Sequence, residues 1–338
     1  MTAGILAALS LAMPLAGPAV AHANVVKKTA QGAAGGLAAL VLLGKLMEYR
    51  NAHYYQYAKP VGEIEKKYTP MGPRKVASQT IKAPDTTWKA HEVFYPADMA
   101  EGEKLPLVLM ANGTGTAVSK YREVLKHLAS WGFVAAGNEE DNSRSGEGVM
   151  ATFHEVGKLA AEPANALHGR VDLADVGVAG HSQGGIAVFH VVTNFPEGRN
   201  FRAAYTASAT SLFWGDDGPL GKEWGYDVSD LQTPIFMTAG TGDWDAGKTN
   251  DPKAKEGQGI APLWSLKKTF ETIPDTTPKV VARMTGKDHG DMLRGPDAYM
   301  TAWFMYTLKG DQEAKNVFFG ENSELSHNKN YQDVMVSE

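Results

Sequence analysis

Between Val176 and Phe195 the chain runs from a short apolar stretch into a glycine-bracketed turn and then into a helical stretch, and this passage constrains the fold more than any other. Val176-Gly-Val-Ala179 reads as a strand, Gly180-His-Ser-Gln-Gly-Gly185 as a sharp turn, and Ile186 to Phe195 as a helix stopped by Pro196. A strand that turns straight into a helix must pack that helix back against its own sheet, which is the building step of a parallel α/β layer. The same alternation recurs along the chain. Val93-Phe-Tyr95, Leu105 to Ala111, Gly132 to Gly137, Ala203 to Ala209, Pro234 to Ala239 and Lys279 to Met284 read as further strands. Val118 to Trp131, Val149 to Leu167 (with Pro163 as a break), Ala261 to Thr272 and Pro296 to Leu308 read as helices between and after them. Leu105 to Ala111 is apolar almost throughout, as expected of a strand covered on both faces. The expected fold is therefore α/β, a mostly parallel central sheet with helices on both faces. It occupies one domain over 61–338, with a C-terminal tail.

The turn carries chemistry as well as shape. Gly180-His-Ser182-Gln-Gly184 fits G-x-S-x-G, in which a serine sits on a tight strand-to-helix turn and glycines two residues away on each side leave room for it. With 36 Gly and 14 Ser in 338 residues, the bare pattern arises by coincidence in roughly one such chain in six, so its placement after a strand carries the weight. A serine attacks only when a base takes its proton and a third group orients the base. In this arrangement the chain order is serine, acid, histidine. Of the histidines after Ser182, His190 lies in the departing helix and His327 in a polar tail, whereas His289 stands in the turn Gly286-Lys-Asp-His-Gly290 just after a strand. The acid is expected at the end of the preceding strand, where Asp243 lies nearer the strand and Asp245 competes two residues later. Backbone donors for an oxyanion are expected from Gln183 and from Thr114, in the turn after Leu105 to Ala111.

Composition narrows the alternatives. The net charge is −5 and no Lys/Arg-rich face stands out, which argues against a nucleic-acid partner. There is no cysteine, so a thiol nucleophile, a thiolate metal site and disulfides are excluded. No metal or cofactor is expected. Gly4 to Ala21 is uncharged and leads into Ala21-His-Ala23, the small-x-small form of a signal-peptidase site, so residues 1–23 read as an export signal. A second apolar run, Gly32 to Gly44, is 13 residues long and follows Lys27 and Lys28. It is short of the roughly 20 residues of a membrane span, and reads as a weak anchor or as a helix lying on the domain. Residues 24–60 would join it to the catalytic domain. The expected location is outside the cytoplasm, whether periplasmic, secreted or anchored facing outward.

From Leu105 to Gly320 these residues resemble the α/β-hydrolase superfamily, and within it bacterial cutinase-like polyester hydrolases and chlorophyllase-like serine esterases. The likeness rests on Met110-Ala-Asn-Gly-Thr114, His127-Leu-Ala-Ser-Trp-Gly-Phe133, Gly180 to Gly185, the stretch from Pro234 to Asp243, Gly286-Lys-Asp-His289 and Ala302-Trp303. It implies hydrolysis of a small-molecule or lipid-like ester through an acyl-enzyme. Its spacing from Pro234 implies Asp243 as the acid. Lipase or polyester-hydrolase activity, or acyl transfer, are the neighbouring readings, and a non-catalytic anchored binding protein is the reading from another class. Where polyester hydrolases carry aromatic residues, this chain has Thr114 and Thr210, which argues against aromatic polymers as substrates. Ser211 to Asp230 looks like an added loop, whose Phe213, Trp214, Trp224 and Tyr226 either line an acyl pocket or pack on the domain.

Overall fold

The computed structural model describes residues 44–338 apart from 216–217. The expected export signal and most of the second apolar run lie outside the described residues. Among the described residues no helix is long and apolar enough to cross a membrane.

Nine strands form one sheet in the order β1-β2-β4-β3-β5-β6-β7-β8-β9. They are β1 Val76–Lys82, β2 Ala90–Pro96, β3 Leu105–Ala111, β4 Val134–Asn138, β5 Val171–His181, β6 Ala203–Ala207, β7 Ile235–Gly240, β8 Lys279–Met284 and β9 Tyr331–Ser337. The six from β4 to β8 are mutually parallel. Antiparallel pairing is confined to the ends of the sheet, where β1 joins β2, β2 joins β4 and β9 joins β8. This is the α/β architecture expected from the alternating pattern.

Both faces of the sheet are covered, and β3 shows how. Val108 and Met110 face one core, while Leu105, Leu107, Leu109 and Ala111 face the other, all of them buried. Helices α1 (Arg122–Ser130) and α5 (Asp297–Lys309) close the first core through Val124, Leu125, Leu128, Met300, Trp303 and Phe304. Helices α2 (Glu147–Ala161), α3 (Gln183–Asn194) and α4 (Leu263–Thr272) close the second through Val156, Ala187, Val188, Val191 and Leu266. Each large apolar side chain so buried contributes roughly 1.5–3 kcal/mol.

The structure adds two strands to the expected set, β1 and β9, at the two edges of the sheet. β1 is only half buried and β9 carries Gln332 and Asp333, so neither presents the apolar run that marks a central strand. The stretch leading into the sheet is tied down. Tyr54 hydroxyl donates to Asp297, which also lies 2.9 Å from His127 Nδ1. The amides of Ile64 and Glu65 open a short helix, Glu63–Tyr68, and donate to Glu324 at 2.8 and 2.9 Å.

Candidate active site

The parallel strands place four loops at one edge of the sheet, because β3, β5, β7 and β8 all end there. In open α/β sheets this carboxyl edge is where ligands bind. Ser182 follows β5, Thr114 follows β3, and the segments bearing Asp243, Asp245 and His289 follow β7 and β8.

Ser182 joins β5 to α3 with φ 59° and ψ −122°, a positive φ that side-chain-bearing residues seldom adopt. The turn is enforced from both sides. A Cβ at Gly180 would lie 2.1 Å from the Gly184 carbonyl oxygen, and one at Gly184 would lie 2.2 Å from that of Ala111. The two motif glycines thus let the turn close on itself and let α3 start directly against the end of β3. Gln183 is the first residue of α3, so its amide is among the helix donors that lack an intrahelical acceptor. In the loop after β3, the Gly113 amide donates to Tyr121 hydroxyl at 2.7 Å, that of Gly115 to Asp141 and that of Thr116 to Gly113. Thr114 is half-buried, and its amide has no acceptor among the described residues.

The aspartate that meets His289 is Asp245, not the expected Asp243. After β7 the chain does not run on extended; it turns through Thr241 and Gly242 into a single helical turn, Asp243–Ala246. Two residues along a helix point to nearly opposite sides. Asp243 therefore faces solvent, while Asp245 is wholly buried with its Oδ1 2.7 Å from His289 Nδ1. The other carboxylate oxygen of Asp245 accepts from Ser208 hydroxyl at 2.5 Å and from the Gly240 amide at 2.6 Å. Burial alone would raise this carboxyl; the His289 imidazole and the hydrogen bonds from Ser208 and Gly240 hold it below the usual carboxylate range. The Asp245 carboxylate is thus kept charged and held in place. The expectation of Asp243 presumed that nearness to the strand end decides the partner, whereas the helical turn does.

Residues that the sequence reading passed over complete the arrangement. Asp288 accepts from the amides of Trp244 and Asp245 and from its neighbour His289, so one carboxylate binds the Asp245 turn to the His289 loop. The Trp244 ring stacks parallel to that of His289 at 6.2 Å. His181 Nε2 donates to the His289 carbonyl at 3.0 Å. An acidic residue directly before the histidine was the one visible sign of this scaffold in the sequence. His190 and His327 lie elsewhere, bonded to Arg144 and Gly225 and to Ser323 respectively. In the loop from Ser211 to Asp230, Trp224 is buried and Tyr226 packs on Phe189 at 4.5 Å. Phe213 instead lines an open groove of about 520 Å³ with Leu212 and Trp264. Among the described residues no group of three or more His, Asp or Glu is placed to hold a metal ion.

Neither the models of known protein families nor the curated proteins include a match to this sequence.

Proposed function

We propose that the protein is a serine hydrolase of the α/β-hydrolase superfamily that cleaves carboxylic esters through an acyl-enzyme. The observation that carries this reading is the buried Asp245–His289 pair, presented at the same sheet edge as a serine in a strained strand-to-helix turn. The chain order Ser182, Asp245, His289 and the loop after β3 also fit the superfamily pattern. In this reading Ser182 attacks the ester carbonyl and His289 accepts its proton. Asp245 holds the tautomer that makes this possible and stabilises the imidazolium. The Thr114 and Gln183 amides receive the developing oxyanion. His289 then returns the proton to the departing alcohol, and water releases the acid by the same steps in reverse.

Labelling by a fluorophosphonate tests the proposal, because that reagent needs an activated serine. We expect one adduct, on Ser182, and no adduct and no ester turnover in Ser182→Ala. A folded wild-type protein that neither labels nor hydrolyses short-chain esters would refute it. We propose in addition that the protein is exported and cut after Ala23, on the strength of Ala21-His-Ala23. Amino-terminal sequencing of the protein from its native cells should begin at Asn24, and an intact Met1 in a cytosolic fraction would overturn this.

A further inference from the structure

His181, the residue inside the elbow motif just before Ser182, touches three parts of the candidate site at once. Its Nε2 lies 3.0 Å from the carbonyl oxygen of His289. Its ring centroid is 4.8 Å from that of His289. On its other side is the loop after β3, close enough that a Cβ on Gly113 would sit 3.4 Å from both His181 Nδ1 and the His181 carbonyl oxygen. The side chain is buried, at 4% exposure. We propose that His181 is a positioning residue, a neutral imidazole locked with its proton on Nε2 that sets the height of the His289 loop over the serine elbow.

The chemistry of the contacts leaves one consistent state. A carbonyl can only accept, so Nε2 must carry a hydrogen. Nδ1 has no donor partner among the described residues, and the residue lines a small, largely apolar pocket with Met110, Tyr121, Met292 and Met300. The titratable groups around it are His289, Asp245 and Arg294, with Tyr121 and Asp297 on the pocket wall. Burial, and then the adjoining His289, push its pKa down to about 3, so a second proton is disfavoured through the working pH range. Without the Nε2–H bond the His289 carbonyl loses its link to the elbow, and Asp245, Asp288 and the stacked Trp244 ring are left to hold the base. A displacement of the base by about 1 Å is enough to cost on the order of 100-fold in rate.

This inference rests on the serine-hydrolase reading, and the test separates the two. His181→Met removes the donor at similar bulk, while His181→Gln keeps an N–H near the position of Nε2. We expect His181→Met to lower kcat by roughly 10–100-fold with KM within about threefold, and His181→Gln to recover most of that loss. Nitrogen NMR of the wild-type imidazoles gives a readout that needs no variant. His181 should stay in the Nε2–H form from about pH 4.5 to 9. Unchanged kcat in His181→Met, or equal losses in both variants, overturns the inference, as does a His181 ring that titrates in that range or carries its proton on Nδ1. If ester turnover depends on Ser182 while His181→Met is unimpaired, the inference falls and the hydrolase reading stands. If the wild type is inert towards esters and the fluorophosphonate, both fall.

Discussion

Exchanging the carboxylate of Asp245 for an amide isolates the part of the site that separates one aspartate from its neighbour. The Asp245 carboxylate accepts from three donors, His289 Nδ1 at 2.7 Å, Ser208 hydroxyl at 2.5 Å and the Gly240 amide at 2.6 Å. An asparagine has one acceptor oxygen and an NH2 group. With its oxygen kept on Ser208 and Gly240, its NH2 meets His289 Nδ1 and forces the tautomer whose Nε2 already carries a proton, which cannot deprotonate Ser182. Flipped, its NH2 confronts the Gly240 N–H in a buried space, leaving two donors unpaired at a cost of about 1–3 kcal/mol each. The first arrangement disables the base, and the second keeps the working tautomer only at that cost. We expect Asp245→Asn to lower kcat by roughly 1,000- to 10,000-fold, about 4–5.5 kcal/mol of transition-state stabilisation. Asp243 faces solvent, and Asp243→Asn should stay within about twofold of wild type. The measurement is kcat and KM on a soluble nitrophenyl ester, with fluorophosphonate labelling rates in parallel. If Asp245→Asn kept more than about a tenth of the turnover, or Asp243→Asn were the impaired variant, the assignment of the acid would be wrong.

Three other outcomes follow. Gly184→Ala should cost both stability and turnover, because its new Cβ would fall 2.2 Å from a backbone oxygen that only a shift of β3 or α3 can relieve; near-wild-type melting and activity would contradict the account of the elbow. Asp297→Asn should destabilise by about 3–5 kcal/mol in denaturant titration, since it breaks a buried pair with His127 and the tie to Tyr54, while kcat of the folded fraction is kept. Stability should also carry a signature of His181: a folded-state pKa depressed to about 3 from 6.5 means the unfolded chain binds the extra proton, so its contribution is complete above about 6.5 and lost as pH falls towards 3. It amounts to at most about 5 kcal/mol at 1.36 kcal/mol per pH unit. His91, pushed down by burial, acts in the same sense. His127, which burial would lower but Asp297 raises, acts in the opposite sense. The quantity to measure is therefore the pH slope of wild type minus that of His181→Gln between about pH 4 and 6, and equal slopes would refute it.

The central strands were legible because burial on both faces leaves a short continuous apolar run closed by turn residues, as in Leu105–Ala111. The edge strands β1 and β9 were not, since a strand with one open side can be written in nearly any residues. The elbow was legible for a similar reason: Gly180 and Gly184 leave no room for a side chain, and that demand shows in the sequence. Which aspartate meets His289 was not legible. It depends on whether Asp243 to Ala246 is helical or extended, and the Asp288 carboxylate, 43 residues away from Asp245, stabilises that turn by accepting from its first amides. Likewise His181 reads as a filler position of a motif until the His289 loop is folded above it.

The tie between the two ends of the described chain bears on how the protein is made. Tyr54 waits for Asp297, 243 residues later, and the helix Glu63–Tyr68 takes its first-turn acceptor from Glu324, some 260 residues on. Both sheet-edge strands bracket this closure, and β9, the last, pairs with β8, from which the His289 loop departs. A ribosome delivers the chain from its amino end, so the first segments of the body to emerge are among the last to find their partners. A nascent chain halted short of Glu324 would hold its elbow and its acid turn and still be an open body. The closure therefore joins segments more than 240 residues apart, and it cannot form before Glu324 has emerged.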